Sequence, residues 1–378
     1  MNNPIALFES LRRMYLRYIN SPFDLRYADL SRERQTMLDR DGFIWREPLI
    51  EPVPVYKTCG HDFRMMAHGI LDRSWGASAV DELADFVRCG LLRPDLEPYL
   101  HQQESFEACT VNGRDVVVTT GTGSGKTECF LLPILAALVR ESANWGAPGA
   151  RPPNWDWWDD RHRRFQGQNT RYGPRTPQRG HEDRALRPPA VRALLLYPLN
   201  ALVEDQLIRL REALDSQTAH DWLDANRLGN RFYFGRYNKL TPVSGDSSDN
   251  SNIARLRKEL KEVQLHAQRA AGTPDAKRYF PAMDGAEMWS RWDIQDHPPD
   301  ILITNYSMLN IMLMRTVESG IFEQTRRWLE ADEGHIFHLV VDELHSYRGT
   351  PGTEVAYLLR VLLDRLVPTC RNQRSLQS

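Results

Sequence analysis

The stretch that decides the fold is DVVVTTGTGSGKT, residues 115–127, in which a short apolar run leads into a glycine-rich loop. The residues after it, 126–140, have the pattern of an apolar helix. A strand, a glycine-rich turn ending in Lys-Thr, and a helix are the sequence context of a phosphate-binding loop. Glycines let backbone N–H groups converge on phosphate oxygens, and the start of a helix attracts negative charge. The residues that we expect to bind the nucleotide are Thr122, Gly123, Ser124, Gly125, Lys126 and Thr127.

Two side chains of this loop have distinct predicted roles. Lys126 is placed to reach the β- and γ-phosphates of ATP, and the Thr127 hydroxyl is placed to ligate Mg²⁺. Thr120 stands where the general pattern has its first glycine, so the match departs from the strict form there. The alternative is a flexible Gly/Ser turn that binds nothing. The Lys-Thr pair directly after a β-like run favours phosphate binding.

A second motif, VVDELH at residues 340–345, places two carboxylates at the end of an apolar strand. We expect Asp342 to bind Mg²⁺ through water and Glu343 to polarise the water that attacks the γ-phosphate. So short an acidic pattern also occurs by chance as a solvated turn. Its position after a buried strand, in one chain with a phosphate-binding loop, favours the catalytic interpretation. The two motifs together predict ATP hydrolysis with Mg²⁺.

Apolar strand candidates alternate with helix candidates along the rest of the chain. Besides 115–119, the strand candidates are 193–197, 231–234, 300–304 and 337–341. The helix candidates that follow them include 201–214 and a closing helix at 352–366. Continuous apolar strands that alternate with helices predict an α/β fold, with a parallel β-sheet covered by helices on both faces.

The chain is predicted to contain two regions. Residues 1–92 read as a mostly helical N-terminal region, because apolar residues recur there at helical spacing. A proline-rich strap at 46–57 interrupts it, since proline fixes φ and disfavours helix in the preceding residue. Residues 93–378 read as the α/β domain. Two long insertions, at about 141–190 and 241–292, interrupt this domain and are expected to be functional or poorly ordered.

The charge, the cysteine content and the apolar segments of the chain limit the classes of protein to which it can belong. The net charge of −2 means that a nucleic-acid partner must meet a local basic surface. The five cysteines form no CxxC pair, which argues against a disulfide framework or a zinc knuckle. The N-terminus lacks the apolar segment of a signal peptide, and the longest apolar run is about half of a membrane span. We therefore expect a cytoplasmic protein with no membrane partner.

The first insertion is rich in tryptophan and arginine. The residues concerned are Trp155, Trp157, Trp158, Arg161, Arg163, Arg164, Arg171 and Arg175. One interpretation is a nucleic-acid contact, with bases stacked on indole rings and phosphates paired with arginines. The other is a structural clip whose tryptophans anchor it to the core. The aspartates interspersed among these residues dilute the charge and favour the clip.

The motifs resemble those of the first RecA-like domain of superfamily 2 helicases of the DExH type. YLHQ at 99–102 resembles the Q motif, YPLNAL at 197–202 resembles motif Ia, and PDILITNY at 299–306 resembles motif Ib. The resemblance covers residues 98–366. It implies a RecA-like P-loop domain that binds ATP and a nucleic acid.

The resemblance also implies roles for particular residues. Gln102, 24 residues before Lys126, would read adenine through its amide. Phe86 would either stack on adenine or lie in the core. The core is favoured, because phenylalanine side chains are most often buried. His345 would couple the catalytic site to the domain interface. Residues 235–237, after the third predicted strand, correspond to a segment that runs near the nucleic acid in members of the family. A contact there and the absence of one are equally expected. The residues implied to lie along the nucleic-acid backbone are Pro198, Asn200, Thr304 and Asn305.

Within the superfamily, three strings are most similar to a group of very large bacterial helicases. They are LLLYPLNALVEDQ, PPDILITNYSML and DELHSYRG. That group includes enzymes of mitomycin-damage repair and of phage-defence islands such as Druantia and DISARM. The resemblance implies an ATP-dependent helicase or translocase in phage defence or DNA repair. It favours DNA over RNA as the nucleic acid but leaves the choice open, and a multi-subunit defence complex is one assembly that it allows.

The resemblance further predicts elements beyond this sequence. In the superfamily a Ser-Ala-Thr strand, motif III, follows the helix after DExH, and a second RecA-like domain comes next. The sequence ends at Ser378, about where that strand is expected. A second RecA-like domain is therefore expected in a longer protein or on a partner chain, and the isolated chain is expected to be incomplete or inactive.

Two other functions compete with this interpretation. One is a nucleotide-binding regulatory subunit of a split helicase complex, with little ATPase activity of its own. The other is a different P-loop enzyme, such as a nucleotide kinase. The kinase is disfavoured because it would lack the strings at 196–202 and 303–306.

Overall fold

The computed structural model describes most of the chain, in two compact units divided between Val55 and Tyr56. The described residues are 3–21, 25–49, 55–121, 123–149, 156–159, 187–243, 245, 247–270, 272–273, 278–347 and 349–366. The predicted boundary lay at 92/93, whereas the structure joins the helices of 63–88 to the sheet-containing unit. In the described part of the chain, no helix combines the length and apolarity needed to cross a membrane.

The first unit contains two helices, α1 (Pro4–Asn20) and α2 (Ala28–Leu38). The Asn3 side chain caps α1 by accepting a hydrogen bond from Ile5 N at 3.1 Å. The Arg12 guanidinium lies 3.7 Å from the centre of the Trp45 ring, and its Nε donates to Asp39 at 2.8 Å. The helical prediction for this region is confirmed, while part of the proline-rich strap lies outside the described residues.

The second unit is built on a five-stranded parallel sheet. Its strands are β1 (Ala193–Tyr197), β2 (Phe234–Tyr237), β3 (Glu287–Met288), β4 (Ile301–Asn305) and β5 (His338–Val341), in the order β3-β2-β4-β1-β5. Every residue of β1 is buried, because apolar side chains cover both faces of a strand that lies between two neighbours. The predicted parallel α/β fold is confirmed.

Helices surround this sheet. They are α3 (Phe63–Trp75), α4 (Ala77–Arg88), α5 (Leu100–Thr110), α6 (Lys126–Ser142), α7 (Asn200–Leu214), α8 (Gln217–Asn226), α9 (Asn250–Ala270), α10 (Arg291–Asp296), α11 (Tyr306–Met314), α12 (Ser319–Ala331) and α13 (Thr350–Leu366). A 3₁₀ turn at Leu344–Ser346 follows β5. The main apolar core is formed by the sheet together with α3, α4, α6, α7 and α13.

The predicted strand before the glycine-rich loop is wrong. Residues 115–119 form no strand, and the Val117 side chain is 75% exposed. A strand is stabilised by pairing with a neighbour, and residues 115–119 pair with no described strand, although β5 has a neighbour, β1, on one side only. The third predicted strand, 231–234, is displaced toward the C-terminus, because the pairing with β4 begins at Phe234.

The tryptophans of the first insertion belong to a second apolar cluster. Trp157 and Trp158 are each 1% exposed and pack with Trp289 and Trp292. The Trp158 indole N–H donates to Gln264 Oε1 of α9 at 3.1 Å. Buried rings cannot stack bases, so the clip interpretation is confirmed for these two residues. Trp155 and the five arginines of that prediction lie outside the described residues.

Asp300 is the centre of a buried ionic network at the start of β4. Its carboxylate accepts hydrogen bonds from Arg192 at 2.8 Å, from Arg187 at 2.9 Å and from the Tyr233 N–H at 2.7 Å. Arg192 also pairs with Glu141 at the end of α6. Asp300 has no exposed surface, so partners within the protein, these arginines among them, must balance its charge. The network therefore fixes the N-terminal edge of the sheet to α6.

Replacing Asp300 by asparagine should destabilise the second unit strongly. Asp300→Asn keeps the size of the side chain but leaves two buried guanidinium groups with one carboxylate, Glu141. Removing one member of a buried ionic pair typically costs about 3–5 kcal/mol. Urea unfolding measures the loss. Asp364→Asn, which removes an exposed helix ion pair with Arg360, is the matched control and should change little. Equal midpoints for the two variants would contradict the account.

The stability of the sheet should also depend on the protonation of His338. Burial on β5 lowers the pKa of His338 to about 4, and its Nε2 has no hydrogen-bond partner among the described residues. Because the folded pKa lies below the unfolded value of about 6.5, stability is fully present above pH 6.5 and is lost as pH falls toward 4. The loss at pH 5 should be on the order of 1–2 kcal/mol. His338→Phe should reduce this pH dependence in urea unfolding; an unchanged slope would exclude His338 as its source.

Candidate nucleotide-binding site and nucleic-acid face

The glycine-rich loop reverses direction just before α6. Gly123 and Gly125 both have left-handed backbone angles, with φ of 76° and 73°. A Cβ atom at position 125 would lie 2.4 Å from the Gln102 amide nitrogen, so both the conformation and the close packing require glycine there. The loop ends where α6 begins, at Lys126, and the first turn of α6 therefore faces the space that the loop encloses.

Side chains from outside the loop hold it from behind. Gln102 is 3% exposed; its Oε1 accepts the Tyr99 N–H at 2.8 Å and its Nε2 donates to Gly125 O at 2.8 Å. His101 Nε2 donates to Ser124 O at 2.9 Å. The start of α5 thus fixes the backbone of the loop. An adenine-reading role for Gln102 stays a prediction, and it requires the amide to exchange one of these backbone bonds for the base.

Tyr56 holds the other end of the loop. Its hydroxyl accepts a hydrogen bond from the Gly121 N–H at 2.9 Å. Its ring lies 5.4 Å from that of His101 and 5.7 Å from that of Tyr99. The sequence contained no signal for this contact, because 65 residues separate its two ends.

Lys126 and Thr127 are the side chains left available for a ligand. Both are partly exposed, and neither forms a hydrogen bond or ion pair with the described residues. Ser124, by contrast, is fully buried and its hydroxyl donates to Thr120 Oγ1 at 2.6 Å, so it can offer a ligand only its backbone N–H. Thr122 lies outside the described residues. The roles predicted for Lys126 and Thr127 stay predictions.

A buried carboxylate follows the loop directly. Glu128, in the first turn of α6, is 6% exposed and pairs with Arg209 of α7. Its second oxygen lies 3.5 Å from the Gln102 amide nitrogen. Sequence reasoning missed this residue, although an acidic side chain in the first turn of an apolar helix is a usable signal. The pair connects the loop helix to the helix that begins after β1.

The acidic motif lies at the C-terminal end of β5. The Asp342 N–H donates to Leu196 O at 3.0 Å, which continues the pairing with β1 by one residue. Asp342 Oδ1 accepts the Glu343 N–H at 2.9 Å. Glu343 has φ 50° and ψ 43°, a left-handed conformation that is rare outside glycine and recurs at functional sites. His345 is 69% exposed, and its Nδ1 lies 3.1 Å from Glu343 Oε2.

These residues suit a magnesium ion that keeps part of its water shell. Mg²⁺ is usually bound by one or two protein oxygens together with phosphate oxygens and water. Thr127 offers a free hydroxyl, and Asp342 offers a carboxylate oxygen to which no described residue donates. In the described part of the chain, no group of three or more His, Cys, Asp or Glu side chains could hold a metal by itself. The donor set therefore fits a metal that arrives with its nucleotide.

Asn200 and Asn305 meet beside the C-terminal ends of β1 and β4. Asn305 Nδ2 donates to Asn200 Oδ1 at 2.8 Å, and Asn305 Oδ1 accepts the Met308 N–H and so caps α11. Pro198 is partly exposed at the same edge. Their predicted contact with nucleic acid stays a prediction.

Thr304 does not lie on this surface. It is fully buried, and its hydroxyl donates to Tyr237 O at 2.6 Å. The predicted contact of the Thr304 side chain with nucleic acid is therefore wrong. The reason is that β4 lies between β2 and β1 in the sheet, and Thr304 is covered on both faces of the sheet.

Burial decides two alternatives that the sequence left open, and for Phe86 it confirms the favoured core position. Phe86 is 1% exposed and packs against Trp222 and Phe232, with ring centres 4.9 and 5.2 Å away. It is a core residue and cannot stack on adenine. Tyr237, at the end of β2, is also fully buried, and its hydroxyl donates to Glu318 at 2.8 Å. A nucleic-acid contact by the Tyr237 ring is excluded in the same way.

The chain matches one family model and two known protein sequences. Residues 99–231 match the model of the DEAD/DEAH box helicase family. The chain is 32% identical to the Druantia protein DruE of Escherichia coli (strain UMEA 4076-1) over 96% of its own length and 19% of that protein. It is 24% identical to the uncharacterized ATP-dependent helicase YprA of Bacillus subtilis (strain 168), over 73% of its own length and 21% of YprA. The chain thus spans about a fifth of the length of these relatives.

Among solved structures, the chain is similar to the DUF1998 helicase MrfA. The complex of MrfA with DNA matches 76% of this chain and 24% of MrfA, with 20% identity and a TM-score of 0.39. The complex with DNA and AMPPNP matches 84% of this chain and 27% of MrfA, with 20% identity and a TM-score of 0.40. The glycine-rich loop and the strand that precedes Asp342 lie in one parallel α/β unit, and the family model covers the loop. Residues 99–231, which include the loop, thus match the DEAD/DEAH box helicase family model, and this match covers part of the chain.

Proposed function

We propose that this chain is the ATP-binding part of a helicase or translocase that couples ATP hydrolysis to movement on DNA. One observation carries the proposal. Contacts from outside hold the described backbone of the loop at 120–127. Among the described residues, Lys126 and Thr127 have no hydrogen-bond or ion-pair partner. A pre-formed cradle with a free ammonium group and a free hydroxyl fits a triphosphate with its magnesium ion.

Each group of the site has a separate role in this proposal. The backbone N–H groups of the loop and the Lys126 ammonium group bind the β- and γ-phosphates of MgATP. The Thr127 hydroxyl and the Asp342 carboxylate orient its metal, Asp342 through water. Glu343 accepts a hydrogen bond from the attacking water and orients it toward the γ-phosphate. His345 is exposed and lies next to Glu343. It connects this carboxylate to the second RecA-like domain that we propose to cover the site.

The biological setting is inferred from the relatives. DruE is a Druantia protein, YprA is an ATP-dependent helicase, and the MrfA structures contain DNA. We therefore assign this chain to phage defence or DNA repair, with DNA as its nucleic acid. The chain spans about a fifth of its relatives' length, so we propose that a second RecA-like domain, on the same longer protein or on a partner chain, completes the ATPase site. A multi-subunit defence complex is the assembly that this setting favours.

Separate roles for Lys126 and Glu343 predict two different defects. Lys126→Ala should lose most of the affinity for ATP, because Lys126 binds phosphate charge in the ground state. Glu343→Gln should bind ATP about as tightly as the unmodified chain, because Glu343 acts on the water, yet hydrolyse it at least tenfold more slowly. Titration with a fluorescent ATP analogue and single-turnover hydrolysis measure the two effects. Equal loss of binding in both variants would contradict the division of roles.

DNA binding should depend steeply on salt and little on sequence. Contacts along the DNA backbone release counterions, so the logarithm of the association constant should fall linearly with the logarithm of salt concentration. Fluorescence anisotropy with two unrelated single strands at several salt concentrations measures this. Lys126→Ala is the control, since it should keep the salt slope while losing ATP binding. An affinity that ignores salt, or that differs strongly between the two sequences, would contradict the proposal.

A further inference from the structure

We propose that Glu128 is a positioning residue of the nucleotide site. Its carboxylate, anchored by Arg209, keeps the Gln102 amide on the backbone carbonyl of Gly125 and so holds the glycine-rich loop in the shape that binds phosphate. The inference deepens the proposed function and rests on it. It assigns to this glutamate and this arginine an effect on the binding of any triphosphate, whatever base the nucleotide carries.

The Glu128 carboxylate lies directly behind the glycine-rich loop. The residue is buried in the first turn of α6. A Cβ atom at position 125 would lie 3.0 Å from Glu128 Oε2, so the carboxylate and the loop backbone are closely packed. A carboxylate that is removed from water needs hydrogen bonds and an opposite charge in its place. The partners of Glu128 therefore decide what it can do.

Each carboxylate oxygen of Glu128 has its own donor. Oε1 accepts a hydrogen bond from the Arg209 guanidinium of α7. Oε2 lies 3.5 Å from Gln102 Nε2, which also donates to Gly125 O at 2.8 Å. The amide nitrogen of glutamine carries two N–H donors. One N–H of Gln102 is thus used on the loop, and the other serves Glu128.

These contacts fix the direction in which the Gln102 amide points. Its Oε1 accepts the Tyr99 N–H at 2.8 Å, while the two groups next to its Nε2, at Gly125 and Glu128, are both oxygen acceptors. Reversal of the amide would bring oxygen against these two oxygens and the amide nitrogen against the Tyr99 N–H. Glu128 therefore adds to the cost of that reversal, and the amide stays on the loop.

Arg209 makes a buried glutamate compatible with a phosphate site. Bound phosphates are negative, and a carboxylate behind the loop would repel them if its charge were not balanced. Among the described residues, Arg209 is the one cationic side chain that pairs with Glu128. Arg209 itself is exposed, so water can solvate it without the pair. It is therefore Glu128 whose charge depends on this contact.

The test compares ligands with and without a base. Displacement of a fluorescent ATP analogue from the full chain measures the affinities for MgATP and for inorganic tripolyphosphate with Mg²⁺. Glu128→Gln and Glu128→Met are compared with each other, because both remove the same charge and only the glutamine keeps an oxygen that can accept from Gln102. The comparison is repeated in a Gln102→Ala background. Thermal unfolding of each variant separates folding from binding.

Glu287 provides the matched control. It is buried to the same degree as Glu128 and also pairs with an arginine of α7, Arg211. It lies on β3, however, and no hydrogen bond joins it to the described part of the loop. Glu287→Gln and Glu287→Met should therefore bind both ligands equally well.

Glu128→Met should bind MgATP and tripolyphosphate more weakly than Glu128→Gln by the same factor, about twofold to tenfold, the effect of one hydrogen bond. In the Gln102→Ala background the two variants should bind alike, because the glutamate acts through the amide. Arg209→Ala should weaken both ligands, and it should do so less in the Glu128→Gln background, where no buried charge is left unbalanced.

Three results would decide against the inference. A difference between Glu128→Gln and Glu128→Met that is confined to MgATP would mean that the amide reads the base, and it would overturn the inference. Equal affinities of these two variants for both ligands would overturn it as well, while the proposed function stood. Absence of binding of either ligand by the unmodified chain would overturn both.

Discussion

The contact between the Gln102 amide and the backbone at Gly125 sets the geometry on which the site depends. It forces a glycine at 125, because a Cβ atom would lie 2.4 Å from the amide nitrogen. That glycine allows the left-handed turn that starts α6 at Lys126. The loop is thereby shaped by protein contacts before a ligand arrives, so little ordering cost remains for nucleotide binding. The same amide lies close to Glu128, whose pairing with Arg209 connects the loop to α7.

The parallel sheet brings the remaining groups to one edge. Strands that run in the same direction end at the same edge, which is where α/β proteins bind ligands. Asp342 follows β5 there, Asn200 follows β1, and Asn305 ends β4. Glu343 takes a left-handed conformation at this edge, a strain of about 1–3 kcal/mol that the surrounding structure must offset. Such strain at a carboxylate that we propose to be catalytic is consistent with a residue placed for function rather than for packing.

Local patterns predicted the central strands well, and they placed the glycine-rich loop before a helix and the two carboxylates after a strand. A glycine-rich loop, a Lys-Thr pair and an apolar strand ending in two carboxylates are short-range signals, and β1 was predicted with its observed bounds. The residues 115–119 were misjudged because an apolar run does not reveal whether a neighbouring strand exists to pair with it. Thr304 was misjudged because its place on the nucleic-acid side came from a motif, whereas its burial comes from the strands on either side.

The features that sequence reasoning missed all join distant parts of the chain. Asp300 meets Arg187 across 113 residues, and Tyr56 meets Gly121 across 65. Such partners follow from the topology of the sheet and not from spacing.

A crystal structure of the chain with a non-hydrolysable ATP analogue and Mg²⁺ tests the central claim most directly. The account predicts the β- and γ-phosphates on the backbone N–H groups of the loop and on Lys126, with the metal between Thr127 and Asp342. A nucleotide bound elsewhere, or phosphates at the loop with Asp342 directed away from the metal, would contradict it.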